Sequence, residues 1–168
     1  MNANISCNFD LIDHHGKLVT FENFRGHYLL VYFGFTHCRV VCPRSLTKLS
    51  TVLDRLESKN HALIPLYITV DPTRDTPAVM KAYLTTKYPR FTGLTGAELQ
   101  IENAKKAFRV FAQKKLDAED ADGYVVPHTA IAYLIGPDGA YISHFVDSLT
   151  EDEIVERMST LLSEDSLN

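Results

Sequence analysis

Several features that assign a chain to a familiar class are scarce in this sequence. Three cysteines in 168 residues are too few for a scaffold held by disulfides. The longest apolar run covers residues 28–35, whereas a membrane helix needs roughly 20 apolar residues. The 17 lysines and arginines are scattered and the net charge is -4, so a nucleic-acid partner is not expected. These absences predict no membrane span, no disulfide framework and no nucleic-acid-binding surface.

The N-terminal residues 1–8 are polar and have neither the basic start nor the apolar core of a signal peptide. Two interpretations follow: the protein acts where it is made, or an upstream anchor has been removed. No repeat, low-complexity tract or linker interrupts the chain. A chain of 168 residues, of which 45% are hydrophobic, can bury a core without help from disulfide bonds or metal ions. We therefore expect a single α/β domain over residues 1–168.

In the first half of the chain, hydrophobic periodicity predicts a hairpin, a strand, a helix, a strand and a second helix. The hairpin joins residues 9–13 to 17–20, and the unbroken apolar run that follows it is typical of a central strand buried on both faces. Pro65 predicts a bulge or an edge position in the strand at 63–70. The first helix, from Pro43 to about Asn60, carries its apolar face on Leu46, Leu49, Val52, Leu53 and Leu56, and the second begins at Thr76-Pro77 and ends near Tyr88.

The second half predicts a loop at 89–96, a third helix at 97–111, an acidic loop at 117–123, two strands and a last helix at 150–162. Leu99, Ala104, Ala107, Phe108 and Phe111 are expected to form the apolar face of the third helix. A Gly-Pro-Asp-Gly turn at 136–139 makes the last strand pair antiparallel, whereas helical crossovers make the earlier pairs parallel. The result is a mixed sheet flanked by helices, the layout of a thioredoxin-like α/β domain with an N-terminal β-hairpin extension.

Two cysteines lie where the buried strand ends and the first helix begins. Pro43 at the first helical position would make Cys42 the N-cap, with Cys38 in the preceding loop. Positive potential at a helix N-terminus favours thiolates, which serve both as nucleophiles and as metal ligands. Three residues separate the cysteines, one more than in the usual dithiol redox motif, so disulfide chemistry and metal binding both remain open.

A metal would need a third ligand, and His128 is the best candidate. It directly precedes an apolar strand, and in a thioredoxin-like fold the loop entering that strand approaches the dithiol loop. Two thiolates and one imidazole suit Cu(I) by softness and low coordination number, while a Cys2His zinc site completed by water is an alternative. A lone histidine that donates a hydrogen bond to a carbonyl is the plainer interpretation.

Other conspicuous residues have ordinary explanations. The histidine pair at 14–15 is expected to be a solvated turn, and the acidic loop at 117–123 lacks the terminal glutamate of a calcium site. Cys7 is expected to be a small residue near the first strand, with a reactive thiol as the alternative. Residues 71–77 could bring a carboxylate near the cysteines, but helix-entry signals explain them equally well.

Several motifs together closely resemble the Sco/SenC family. They occur in order over nearly the whole chain, which makes the resemblance far more specific than a bare pair of cysteines. The matching segments are Phe33-Gly34-Phe35-Thr36-His37-Cys38, Cys42-Pro43, Asp71-Pro72, Arg74-Asp75-Thr76-Pro77, His128-Thr129 and Tyr133-Leu134-Ile135-Gly136-Pro137-Asp138-Gly139.

The resemblance implies a thioredoxin-like fold and a copper ion, as Cu(I) or Cu(II), bound by Cys38, Cys42 and His128. It implies a role in assembling the CuA centre of cytochrome c oxidase, with the CuA subunit or another copper protein as partner. A periplasmic copper chaperone or a thioredoxin-like reductant is a further implied partner. Relatives are usually membrane-anchored and act outside the cytoplasm or in the mitochondrial intermembrane space.

The chain departs from its relatives at two places beside the expected ligands. Residues 39–41 replace a triplet that commonly includes Pro and Asp, and Pro127 replaces an acidic residue that could orient His128. Any reduction in copper affinity is expected to trace to these positions. Because thioredoxin-like folds often place a cis-proline opposite the dithiol, the bond between Val126 and Pro127 is a candidate cis peptide.

The leading hypothesis is a metallochaperone that passes copper to a partner by ligand exchange. The alternative is a thiol-disulfide oxidoreductase in which Cys38 and Cys42 cycle and reduce the cysteines of an acceptor protein. A peroxiredoxin-like peroxidase is a weaker alternative.

Overall fold

The computed structural model describes residues 5–37, 41–110, 115–116, 124–125 and 130–165. The strands are β1 (Asp10–Asp13), β2 (Leu18–Thr20), β3 (Leu29–Gly34), β4 (Ile64–Thr69), β5 (Thr92–Thr95), β6 (Lys115–Leu116), β7 (Tyr124–Val125), β8 (Ile131–Ile135) and β9 (Tyr141–Val146). The helices are α1 (Val41–Glu57), α2 (Pro77–Lys87), α3 (Glu98–Phe108) and α4 (Glu151–Asp165), with a 3₁₀ turn at Phe21–Phe24.

Seven strands form one mixed sheet in the order β2-β1-β5-β4-β3-β8-β9. Strands β3, β4 and β5 run parallel to one another, and β8 and β9 continue the sheet antiparallel. The N-terminal hairpin of β1 and β2 joins the sheet beside β5. The mixed sheet and the hairpin extension therefore agree with the prediction, while β6 and β7 pair as a separate small sheet.

The buried strand β3 divides the core into two halves, because successive side chains of a strand point to opposite faces. Phe33 faces α3, where its ring packs edge-on against the Phe108 ring with 5.3 Å between the ring centroids. The Phe108 ring also packs against Tyr133, with 5.5 Å between centroids. Leu30 and Tyr32 face α1, α2 and α4 on the other side. All five residues predicted for the apolar face of the first helix are buried in this second half.

Local sequence signals predict several element ends correctly. Thr76 caps α2, its hydroxyl accepting a hydrogen bond from the Val79 amide at 3.3 Å, and Pro77 is the first helical residue. The tight turn between β8 and β9 is present, with Gly139 at a φ of 89°. These features depend on neighbours in sequence, which explains why the sequence predicts them well.

A strand lies where the sequence predicted only a loop. Strand β5 pairs with β4 on one side and with β1 on the other. Its four residues include Gly93, which carries no side chain and breaks the strand pattern. The structure explains the glycine: a Cβ there would lie 2.7 Å from the Leu84 Cδ1 atom and 3.3 Å from the Met80 Cβ atom, so any larger residue would force the side chains of α2 to shift.

Pro65 lies within a central strand, not at an edge or a bulge as predicted. It pairs with Leu30 in the parallel ladder between β3 and β4. The Ile64 amide points towards β3, where it donates to the Tyr28 carbonyl at 2.9 Å, so the Pro65 nitrogen faces the opposite side. Pairing with β5 begins one residue later, at Leu66, so the missing N–H of Pro65 leaves no ladder hydrogen bond unmade.

The predicted apolar face of the third helix is partly wrong. Leu99 is 71% exposed, whereas Ile101, Ala104 and Phe108 are buried. Helix α3 ends at Phe108, and Arg109 adopts a left-handed conformation with a φ of 60°. The apolar face of α3 is therefore formed by the residues that reach β3. Phe111 and the acidic loop at 117–123 lie outside the described residues.

Candidate metal and dithiol site

One edge of the sheet gathers segments that adjoin the predicted ligands. The carboxyl ends of β3 and β4 lie there, followed by Thr36 and His37 after β3 and by Asp75 after β4. Because β8 runs antiparallel to β3, with Ala132 opposite Tyr32, the amino end of β8 reaches the same edge. Ala130, directly before β8, therefore lies on the side of the sheet where β3 ends.

Two of the three predicted ligands, Cys38 and His128, lie outside the described residues, as does Pro127 with its predicted cis bond. Cys38 is one residue from His37, and His128 is two residues from Ala130, a span of at most about 7 Å. Among the side chains that the structure describes, no group of three or more metal-ligating residues is placed to hold an ion. The ligand set remains a prediction.

The helix that carries Cys42 begins earlier than predicted. Helix α1 starts at Val41, so Cys42 is its second residue and not its N-cap, and Pro43 is its third. The first-turn N–H groups of a helix have no partner within the helix, so a proline at the third position removes no helical hydrogen bond. The backbone of Cys42 still lies in the first turn, where positive helix potential is greatest.

Three threonines at the ends of three neighbouring strands converge on Asp75. The Thr36 amide and hydroxyl donate to its two carboxylate oxygens at 3.0 and 2.5 Å. The Thr69 hydroxyl donates to the same carboxylate at 2.7 Å, and the Thr95 hydroxyl donates to the Asp75 carbonyl at 2.7 Å. Asp75 thus joins the ends of β3, β4 and β5. Its partner Thr36 lies two residues before Cys38.

The site edge contains two buried carboxylates with different surroundings. Burial raises the pKa of the Asp75 carboxyl, although the hydrogen bonds from Thr36 and Thr69 act in the opposite direction. Asp71 pairs with the Arg74 Nε atom at 2.5 Å, and both side chains are almost fully buried. Residues 71–77 therefore serve both interpretations offered by the sequence, because they begin α2 and also bring a carboxylate against the loop that leads to Cys38.

The sequence did not identify Asp75 as the residue that binds the segment before Cys38. Its partners are far apart in the chain, and the pairing of β3, β4 and β5 brings them together. The available signal was a threonine at or just beyond the end of each of two predicted strands, whereas Thr95 lay within a predicted loop. That signal has meaning only once the strand order is known.

The two adjacent histidines differ in the structure. His15 is exposed, as predicted for a solvated turn, but His14 is half-buried and its Nδ1 atom accepts a hydrogen bond from the Gly93 amide at 2.9 Å. That contact requires Nδ1 to be unprotonated. Burial, followed by the neighbouring charge of His15, lowers the pKa of His14.

We expect His14 to make folding sensitive to acid. Its pKa is lower in the folded chain than in the unfolded chain, so its contribution is complete above the unfolded value near 6.5 and is lost as the pH falls towards the folded value. Urea unfolding between pH 7.5 and 5 should show a smaller loss of stability for His14→Gln than for the wild type. The His15→Gln variant is the matched control and should keep most of the wild-type slope. Equal slopes in wild type and His14→Gln would contradict this role.

Cys7 is a buried core residue beside the first strand. It is 8% exposed and packs in the half of the core that contains Phe9 and Phe108. Burial raises the pKa of its thiol to about 12, so at neutral pH almost none of it is thiolate. The structure therefore supports a packing role and not a reactive thiol.

In the part of the chain that the structure describes, no helix has both the length and the apolar character needed to cross a bilayer.

A family model for SCO1/SenC matches residues 1–163. A SCO2-like protein of Rickettsia prowazekii is 40% identical over 148 residues, which cover 88% of this chain and 72% of the relative. The human mitochondrial SCO1 homolog is 39% identical over 154 residues, which cover 90% of this chain and 51% of the relative.

The fold also matches solved structures of the family. Arabidopsis thaliana ScoI, solved with copper bound, superposes with a TM-score of 0.90 and 32% identity, covering 95% of this chain and 99% of that one. This agreement confirms the thioredoxin-like α/β fold predicted from the sequence. The family model, the sequence identities and the shared fold together show that this chain belongs to the SCO1/SenC family.

Proposed function

We propose that this protein binds copper through Cys38, Cys42 and His128 and passes it, as Cu(I), to a copper protein during assembly of cytochrome c oxidase. The observation that carries the proposal is the likeness to a copper-bound relative over 95% of the chain. A second observation supports it: the segments next to the three proposed ligands in sequence lie at one edge of the sheet. These segments are Thr36 and His37, the start of α1, and Ala130.

The donor set suits a soft, low-coordinate ion. Two thiolates and one imidazole match Cu(I), and the first turn of α1 stabilises a thiolate at Cys42. A site with three protein ligands can release its ion when cysteines of a partner replace the ligands one at a time. The proposed partner is the CuA subunit of the oxidase or another copper protein, with a periplasmic copper chaperone or a thioredoxin-like reductant acting upstream.

The proposed location is outside the cytoplasm or in an equivalent compartment, with the protein periplasmic or membrane-anchored. The mitochondrial designation of the human relative supports it. We also propose that residues 1–168 act as one domain. The family match over residues 1–163 is consistent with that proposal.

Anaerobic titration of the reduced protein with Cu(I) tests the proposed ligands. We expect one tightly bound ion per chain, and in His128→Ala a loss of affinity at or above the about 10- to 100-fold that removing a ligand-orienting residue costs, measured with a competing chromophoric chelator. Cys7→Ser is the matched control, because Cys7 is buried and lies in the opposite half of the core from α1. Unchanged stoichiometric binding in His128→Ala would remove His128 from the site.

A thiol-disulfide oxidoreductase that reduces the cysteines of an acceptor is the second candidate. The observation that favours it is the position of Cys42 in the first turn of α1, which helps a thiolate to form. A wild-type protein that binds no Cu(I) but whose Cys38–Cys42 pair cycles with a reduction potential above about -300 mV would favour this function. Turnover of peroxide with a thiol reductant would instead support the peroxiredoxin-like alternative.

A further inference from the structure

We propose that Asp147 is a positioning residue that holds the start of α1, which carries Cys42, in register with Ala130, which directly precedes β8 and is two residues after His128. The inference rests on the proposed copper site and adds a residue outside the predicted ligand set. It follows from the contacts that Asp147 makes at the end of β9. This strand runs parallel to β3 and therefore ends at the same sheet edge.

The Asp147 side chain binds two consecutive residues in the first turns of α1. Its Oδ2 atom accepts a hydrogen bond from the Arg44 guanidinium at 2.5 Å, and its Oδ1 atom accepts one from the Ser45 hydroxyl at 2.5 Å. Ser45 is 4% exposed, so its hydroxyl cannot readily turn to water instead. These contacts lie two and three residues after Cys42, in the first turns of the helix that carries it.

The backbone beside Asp147 adds a further tie to the same helix. The Lys48 ammonium donates to the Asp147 carbonyl at 2.8 Å and to the Leu149 carbonyl at 2.7 Å. Arg44 and Lys48 are one helical turn apart, so both lie on the face of α1 that meets the turn before α4. Two cations and a hydroxyl at the start of α1 thus all donate to one short turn, which holds the helix in place.

The same turn also reaches the segment that leads to β8. Ser45, Lys48, Asp147 and Ala130 line one small cavity, together with Tyr32 beneath them. Asp147 therefore binds the start of α1 and shares a cavity with Ala130, so we expect its removal to change how these two segments lie against each other. Because His128 is two residues from Ala130, Asp147 influences the distance between the thiolate pair and the imidazole.

The charge of Asp147 suits this task. Partial burial would raise the pKa of its carboxyl, but hydrogen bonds from Ser45 and Arg44 and the charges of Arg44 and Lys48 outweigh burial and lower the pKa. The carboxylate is therefore ionised across the physiological range, and its bonds to α1 are charge-assisted. Charge-assisted bonds to a buried hydroxyl hold a helix end more firmly than exposed ion pairs do.

A double-mutant cycle between Asp147 and His128 tests the inference. We expect Asp147→Ala to weaken Cu(I) binding by about 10-fold, the low end for groups that orient metal ligands. The His128 factor is the fold-loss of Cu(I) affinity that His128→Ala causes. We expect this factor to be at least about 3-fold smaller in the Asp147→Ala background than in the wild type. A residue that only stabilised the fold would leave that factor unchanged.

Asp152→Ala is the matched control. It removes a carboxylate from the same interface of α1 and α4, where Asp152 pairs with Arg55 at 2.7 Å, but its side chain is 87% exposed. We expect it to leave Cu(I) affinity and the His128 factor unchanged. If Asp147→Ala does not fold, Asp147→Asn and Ser45→Ala test the same contacts, and each should give a smaller loss in the same direction.

Amide chemical shifts separate this inference from the proposed copper function. In the reduced, copper-free protein, Asp147→Ala should shift the amides of both Cys42 and Ala130, whereas Asp152→Ala should shift neither. A wild type that binds no Cu(I) would overturn the copper function, while the shifts would still decide the role of Asp147. Unmoved amides, or equal His128 factors in the two backgrounds, would overturn the inference.

Discussion

Replacing Asp75 by alanine is expected to lower the free energy of unfolding by about 3 to 5 kcal/mol. The substitution removes the acceptor of three hydrogen bonds, from the Thr36 amide, the Thr36 hydroxyl and the Thr69 hydroxyl. Asp75 is completely buried, so water does not readily replace the carboxylate. Urea unfolding of the wild type and of Asp75→Ala at pH 7 measures the loss.

Asp75→Asn is the matched control for this prediction. One asparagine oxygen can accept the bonds from the Thr36 amide and the Thr69 hydroxyl, while its amide donates to the Thr36 hydroxyl. We therefore expect its stability at pH 7 to lie within about 1 kcal/mol of the wild type. A loss as large as that of Asp75→Ala would mean that the charge of Asp75, and not its hydrogen bonds, holds the strand ends.

The same pair of proteins should differ in pH dependence. Burial raises the pKa of Asp75 in the folded state, so its contribution to stability is complete below the unfolded value near 3.9 and is lost as the pH rises through the folded value. Asp75→Asn lacks this loss. Its stability relative to the wild type should therefore increase between pH 4 and pH 7.

Replacing Phe33 by alanine should cost about 3 to 5 kcal/mol of unfolding free energy. Phe33 is fully buried in β3, and its ring contacts Phe108 edge-on at 5.3 Å. Alanine would leave a cavity between the sheet and α3, which cannot collapse because Phe108 also packs against Tyr133. Urea unfolding measures this loss under the conditions used for Asp75.

Leu99→Ala is the control for the core substitution. The sequence pattern assigned Leu99 to the apolar face of the third helix, but the side chain is 71% exposed. Its replacement should therefore change the unfolding free energy by no more than about 0.5 kcal/mol. A loss above about 2 kcal/mol would show that the sequence pattern, and not the structure, identifies the core face of α3.

The elements that the sequence predicted correctly are those whose signals are local. Thr76 and Pro77 begin α2, and the Gly-Pro-Asp-Gly turn joins β8 to β9. Each signal is complete within a few residues, because a helix cap or a tight turn needs only its own backbone and side chains. The thioredoxin-like fold followed from the order of these elements and from the family motifs.

The features that the sequence missed depend on neighbours that are distant in the chain. Strand β5 is short and exists through pairing with β4 and β1, and Pro65 is tolerated because β5 begins opposite the following residue. The exposure of Leu99 depends on which face of α3 meets β3. Intrinsic preference and periodicity carry no information about such partners.

The sequence by itself determined the cysteine motif at a strand-to-helix junction, the family and most of the helices and strands. The tertiary structure decided which residues surround that junction. The sheet order brings Thr36, Asp75 and Ala130 to one edge, and the end of β9 brings Asp147 to the first turns of α1. The physical reason is that hydrogen bonds between distant strands, not local preferences, set strand order, so only the folded chain determines which side chains hold the proposed copper ligands in position.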